Sequence, residues 1–442
     1  MTVQEHYALR GGVFSSQLPD GRTRLLTKSH AETIGQLDDA DTAMLAALAG
    51  GIRKATEIGG APGLLTTLRS GGWLNITVTD GDRELYTIRP LRTPPEAPER
   101  AASRLSRFAV LHPRNGRMAL ESPTSWCDIE IAAPEALAAL LPGSERSTIG
   151  DRLAQDLTWA GMLVDEDAEA GFRELQWAPH DLWFHHRSRH DERPEERFGG
   201  TFWGKDFCDP LPVRPEAYPG TPVELATPDL DALRHDPGLN EVLETRRSCR
   251  VHDDGAPITA RELGEFLHRC ARNKWVREYD GVEYTSRPYP GGGALYELET
   301  YPLISNVDSL GPGLYHYDAT DHLLRPVCAA DAPHARQLVR QAKLATGTVT
   351  TPQVLLLISA RVGRMMWKYE QIPYSAILKH VGVLYQTMYC VATAMGLGAC
   401  ALGGGDSAAF ARATGRDPLQ ECNVGEFLLG RAGNRLRWEE EL

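Results

Sequence analysis

The chain has 442 residues, of which 42% are hydrophobic and 24% charged, the make-up of a globular protein with a sizeable core. Its formal charge of −12 argues against nucleic acid as the main partner. No run of about 18 apolar residues occurs, so no membrane span is expected.

The opening "MTVQEHYALRGG" lacks a basic stretch followed by an apolar core, so no secretory signal is expected and the chain reads as cytoplasmic. Cys127, Cys208, Cys249, Cys270, Cys328, Cys390, Cys400 and Cys422 are scattered, with no C-x-x-C. They read as reduced thiols, neither a disulfide framework nor a zinc site, and no metal is expected.

The first 190 or so residues carry one pattern twice. Copy one opens with "GGVFSSQLPDGRTRLLT", two strand-like runs around the turn signal Pro19-Asp20-Gly21. Copy two opens with "FAVLHPRNGRMALES", turning at Asn115-Gly116. Helical segments follow, "DADTAMLAALAGG" in one copy and "PEALAALLPG" in the other. Each copy then has a second helix ending in small residues and a strand, "GLLTTLRSGGWLNITVTD" and "IGDRLAQDLTWAGMLVDED". This order is that of a small winged-helix unit. The expected units are residues 1–93 and 100–190, joined by the proline cluster "RTPPEAPER".

A Pro-rich stretch, "CDPLPVRPEAYPGTP", marks a linker over 191–235, and an α/β domain follows over 236–442. "ARELGEFLHRCARN" and "APHARQLVRQAKLAT" are amphipathic helices. "ALYELETYPLISNV" begins as a helical turn and becomes a strand. "PQVLLLISAR" is a strand buried on both faces, and "NVGEFLLGRAG" is the last strand. "AILKHVGVLYQTMYCVATAMGLGA" is too apolar for a surface helix, so it is a central helix, a subunit contact, or both. The fold class is α+β: a mixed sheet with surrounding helices and one long central helix, preceded by two small α+β repeats.

Several stretches could carry chemistry. "ETRRSCR" places Arg246, Arg247, Ser248 and Arg250 together, a donor set suited to phosphate, although a basic surface turn is the commoner meaning. "SRPYPGGGALYELE" sets Gly291, Gly292 and Gly293 after Pro290, permitting close backbone approach to a flat ligand. It matches neither a Rossmann nor a Walker loop, which disfavours nucleotide hydrolysis. "GLGACALGGGD" supplies a second glycine cluster, and "LLGRAG" puts Arg431 just after the last strand. "MMWKYEQIPYS" sets Lys368 beside Tyr369 at the mouth of the long helix; most such pairs are only a snorkelling Lys and a half-buried Tyr. His180, His185, His186 and His190 do not share one helix face, and an amphipathic helix packing Leu182, Trp183 and Phe184 inward is favoured over a metal site. A weaker reading brings one of these histidines to the active site.

"RRSCR", "SRPYPGGGALYELE" with "GLYHYDATDHLL", "WKY" before the long helix, and "AMGLGACALGG" occur together in that order. Over roughly residues 236–435 the chain resembles the nitroreductase-like flavoproteins, and within them the SagB-type thiazoline/oxazoline dehydrogenases. The N-terminal repeats are similar to the tandem peptide-clamp modules of cyanobactin-type and thiopeptide-type azoline oxidases. The resemblance implies FMN contacts from Arg246, Arg247, Ser248 and Arg250, from Pro290, Gly291, Gly292 and Gly293, and from Gln386. It also implies Leu402, Gly403 and Gly404 near the flavin ring and Arg431 near the phosphate. Gly291 stands where the family carries Ser, Val383 stands where a His often precedes the helix Gln, and Glu370–Pro373 departs from the usual turn.

The implied activity is oxidation of azoline rings in a ribosomally made peptide, with Lys368 and Tyr369 as the catalytic pair, hydride transfer to FMN N5 and reoxidation by O2. Lys and Tyr titrate at about 10.4 and 10 in model peptides. Their adjacency is expected to lower the Lys value and favour phenolate. The implied partners are an azoline-bearing precursor whose leader docks on the N-terminal repeats, a cyclodehydratase, and a second copy of the chain meeting at the long helix. An NAD(P)H-dependent nitro- or quinone reductase and a non-catalytic peptide scaffold are the competing readings, with DNA binding by the repeats a third that the charge disfavours.

Overall fold

A computed structural model of the protein divides it into two units, Met1–Phe198 and Gly199–Leu442. It describes residues 3–27, 30–54, 57–58, 62–133, 136, 148–189, 193 and 196–433.

The two N-terminal copies are not separate bodies. Val3–Leu9, Arg53–Lys54, Leu74–Asp80 and Arg83–Pro90 from copy one share a seven-stranded sheet with Val110–Arg114, Arg117–Glu121 and Cys127–Ile131 from copy two. They join where Arg83–Pro90 pairs antiparallel with Cys127–Ile131, setting Ile88 opposite Ile129. The boundary expected near residue 93 thus runs through the middle of one sheet. The reason is burial: Cys127–Ile131 is buried at every position, so its edges need hydrogen-bonded neighbours. One core, including Trp73, Tyr86, Ile88, Ile129, Leu153 and Leu157, spans both copies.

The turns behave as their residues dictate. Asn115 and Gly116 both have positive φ, 50° and 78°, and join paired strands, as a two-residue hairpin requires. Phe14–Gln17 pairs with Thr23–Leu26 around Pro19–Gly21 but belongs to a separate three-stranded sheet, so the two opening hairpins are not equivalent. The helices Asp39–Ala49, Pro62–Ser70 and Thr148–Trp159 stand where expected. The helix expected at 134–143 lies outside the described residues apart from Ala136.

The C-terminal unit holds a second seven-stranded sheet, ordered Val223–Glu224, Leu323–Ala329, Gly313–Asp318, Leu298–Ile304, Val354–Arg361, Glu421–Gly430, Gly398–Leu402. Every pairing in it is antiparallel, which corrects the expected mixed sheet. Val354–Arg361 is buried at all positions because helices cover both faces, not because its neighbours are parallel. The long helix runs Pro373–Ala394. Thr259 and Glu262 form a reciprocal cap on the amphipathic helix Ala260–Ala271.

The stretch 191–235, expected as a linker, is in its later part a strap on the C-terminal unit. Arg361 donates to Val213 O at 2.9 Å, Arg364 to Leu211 O at 2.5 Å, Trp367 to Cys208 O at 2.8 Å and Arg416 to Glu216 O at 2.9 Å. Proline-rich backbone has few N–H donors but keeps its carbonyls, which suits donor-only arginines.

Candidate active site

Arg364 lies one helical turn before Lys368, on the short helix Val362–Met366 that follows the central strand. It is 3% exposed. Besides Leu211 O it donates to Leu295 O at 2.7 Å and Glu283 O at 2.9 Å, pinning three segments at one point. Burial, with Arg361 and Arg287 nearby, pushes its guanidinium down to about 10.

Residues 199–204 run alongside the Lys-Tyr pair. Gly200 pairs with Tyr369, Phe202 N–H donates to Lys368 O at 2.9 Å, and Gly204 N–H donates to Trp367 O at 3.0 Å. The Lys368 Nζ sits 5.0 Å from the Phe202 ring centroid, 5.2 Å from that of Tyr369 and 5.9 Å from that of Tyr284. This is an aromatic cage for the amine. Burial pushes the Tyr369 phenol up. That direction is opposite to the expected phenolate, and its cause is desolvation.

The departing tail has a structural use. Thr201 bonds the Glu370 carboxylate, Gln371 takes φ 67°, and Pro373 starts the long helix. Trp203, Met366, Tyr369, Glu370, Gln371, Pro373 and Tyr374 line an open cavity of about 390 Å³.

The glycine loop meets the same pair. At Gly293, φ 64°, a Cβ would lie 2.5 Å from Tyr369 Oη and 3.0 Å from Lys368 Nζ. At Gly291 a Cβ would lie 3.0 Å from the Tyr296 ring, which explains Gly where a Ser is usual. Gly292 N–H donates to His380 Nε2 at 2.8 Å, and His380 Nδ1 lies 2.7 Å from Glu297 Oε1.

The arginine-rich segment sits elsewhere on the long helix. Arg246 stacks over Tyr389 at 5.1 Å, and Ser248 Oγ lies 3.0 Å from Tyr389 Oη. Cys249 N–H donates to Ala399 O at 2.7 Å, and Asp253 N–H to Arg431 O at 3.0 Å, so the segment runs beside Gly398–Leu402 and Arg431. Arg431 is paired with Glu262 at 2.6 Å. Leu402 is buried, whereas Gly403 and Gly404 are exposed with open space beyond each Cα. Glu426, opposite Leu402, is 1% exposed, and burial pushes its carboxyl up to about 7. Its N–H donates to Tyr385 Oη at 2.6 Å.

His380 and Tyr389 are nine residues apart, roughly two and a half helical turns, and so face opposite sides of the helix. The predicted residues thus fall into two groups. Pro290–Gly293, Lys368 and Tyr369 gather on one side; Arg246 and Ser248 gather on the other, with Leu402 beyond Tyr385. Arg247 and Gln386 are exposed, and the Gln386 amide donates to Cys390 Sγ at 3.5 Å. Sequence reasoning missed Phe202, Arg364, Glu297 and Glu426. Only the buried-position charges of "YELE" and "VGEF" could have signalled the last two. Among the described residues no cluster of three or more His, Cys, Asp or Glu could hold a metal, and no helix is long and apolar enough to cross a membrane. His180 is exposed beside Asp181, His185 tilts against Trp177, and His190 lies outside the described residues.

Residues 243–430 match the nitroreductase family, and residues 103–193 match the cyanobactin oxidase ThcOx. A Methanocaldococcus jannaschii protein named as a nitroreductase is 27% identical over 184 residues, 42% of this chain and 85% of that protein. The microcin B17-processing protein McbC of Escherichia coli is 29% identical over 172 residues, and the match covers 36% of this chain and 61% of McbC. A solved Escherichia coli microcin synthetase McbBCD complex with truncated pro-MccB17 bound aligns at TM-score 0.35 and 22% identity, covering 43% of this chain and 73% of that one. The chain therefore carries a nitroreductase-family domain in its C-terminal unit, joined to a segment of the cyanobactin-oxidase type.

Proposed function

We propose that the protein is an FMN-dependent dehydrogenase that oxidises thiazoline or oxazoline rings in a ribosomally made peptide to the aromatic azoles. The observation that carries this reading is the convergence of Lys368 Nζ and Tyr369 Oη on Gly293, beside a cavity of about 390 Å³. The likeness to McbC and the cyanobactin-oxidase match support the substrate class.

The residues present fit the cofactor. Arg246 and Ser248 supply a cation and a hydroxyl suited to its phosphate, and the turn at Gly403 and Gly404 leaves backbone open to a flat ring. Bound FMN supplies the acceptor for the two electrons and hydrogen that leave the ring as hydride. The protein supplies the rest. The amine of Lys368, placed among Phe202, Tyr284 and Tyr369, takes in its unprotonated form the proton from the ring carbon beside the peptide carbonyl. The phenol of Tyr369, kept protonated by burial, donates a hydrogen bond to the substrate. Trp203 and Tyr374 line the cavity beside the pair.

The two groups of site residues face opposite sides of the long helix, and two copies of the chain would bring them together. Tyr374, Leu378, Gly382 and Gln386, each four residues apart, form an exposed seam for that contact. The N-terminal unit docks the precursor's leader, a cyclodehydratase supplies the azoline, and the work is done in the cytoplasm. The test is mass spectrometry of a thiazoline-bearing peptide incubated in air with the flavin-loaded protein. Loss of two hydrogens per ring is the expected result; an unchanged mass with intact flavin overturns the assignment.

A further inference from the structure

Glu297 is fully buried, and its Oε2 has no hydrogen-bond partner among the described residues. Its Oε1 lies 2.7 Å from His380 Nδ1, while His380 Nε2 lies 2.8 Å from Gly292 N. A backbone N–H can only donate, so Nε2 must present its lone pair. The imidazole is then neutral, with its proton on Nδ1, and that proton is given to Glu297. An imidazolium would also satisfy Glu297 but has no lone pair for Gly292. A buried carboxylate with one oxygen unmet is destabilising to keep, which sets it apart from ordinary core packing.

We infer that Glu297 and His380 are positioning residues that lock the Gly291–Gly293 loop against Lys368 and Tyr369, His380 acting as a neutral acceptor rather than as a proton donor. This rests on the flavin reading above. Two consequences follow from the geometry. The Gly292 N–H is already committed, so the loop's backbone contact to the flavin comes from Gly291 or Gly293. The proton chemistry falls to Lys368 and Tyr369 alone, since both His380 nitrogens are occupied.

The test is fluorescence titration of FMN into the full-length protein freed of flavin, with circular dichroism to confirm folding. His380→Ala and Glu297→Ala are each expected to weaken FMN binding about tenfold, and the double variant no more than either single one. His380→Gln, whose amide oxygen can accept from Gly292, and Glu297→Gln, which still accepts from Nδ1, are expected to stay within about threefold of the parent. In the ¹⁵N spectrum of the imidazoles, the resonances lost in His380→Gln should show a proton on Nδ1 and none on Nε2. Folded alanine variants that bind FMN like the parent, additive losses in the double variant, or a proton on Nε2 would each overturn the inference alone. A parent that binds no FMN overturns the flavin reading and the inference with it.

Discussion

The two sides of the long helix are built differently. On the His380 side, the glycine loop, Lys368 and Tyr369 are held by a dense set of internal bonds: Gly292 to His380, Phe202 to Lys368, and Arg364 to three carbonyls. On the Tyr389 side, Arg246 and Ser248 lean on one phenol, and the turn at Gly403 and Gly404 borders open space. The first side is organised before any ligand arrives; the second leaves its cation and backbone available to one. Chemistry needs atoms fixed to a fraction of an ångström, whereas phosphate holding needs charge and room.

That contrast makes the first side the sensitive one for rate. Lys368→Ala and Tyr369→Phe should lower azole formation by roughly 10²- to 10⁴-fold while the protein keeps its flavin absorbance. Variants that lose flavin and rate together would erase the distinction between the two sides.

The second side is sharpened by Glu426. Burial raises its carboxyl in the folded protein to about 7 from its ordinary 4.5. Between those values the folded state holds a proton that the unfolded state has released, so stability falls as pH rises from about 4.5 to 7. Above that window Glu426→Gln should stabilise the protein by up to about 3 kcal/mol, and below it by almost nothing. Urea unfolding at pH 4.5 and pH 8 reads the difference directly; an equal effect at both would mean that the carboxyl titrates normally.

The smallest effect belongs to the open turn. A Cβ at Gly404 meets nothing within 4 Å. Gly404→Ala should therefore shift stability by less than about 0.5 kcal/mol. A loss of FMN affinity in the same variant would show that ligand, not protein, fills the space.

Much of this was legible in the sequence. The helices, the hairpin turns, the glycine loop and the Lys-Tyr pair follow from local periodicity and turn chemistry, which nearby residues decide. What escaped depends on distant partners. Nothing in "RTPPEAPER" reveals that the strands on either side of it join one sheet. Nothing in "CDPLPVRPEAYPGTP" reveals that its carbonyls serve Arg361 and Arg364. The antiparallel pairing of Val354–Arg361 was hidden because burial on both faces erases the alternation that marks such strands. Adjacency in sequence also says nothing about desolvation, which pushes the Tyr369 phenol up.

The most direct measurement is an anaerobic one. The flavin-loaded protein is mixed with a thiazoline-bearing peptide, without nicotinamide, and the flavin absorbance near its visible maximum is followed. Bleaching by one flavin equivalent per ring oxidised, abolished in Lys368→Ala, is the predicted result. No bleaching by the peptide, with full bleaching by NADPH alone, would contradict it.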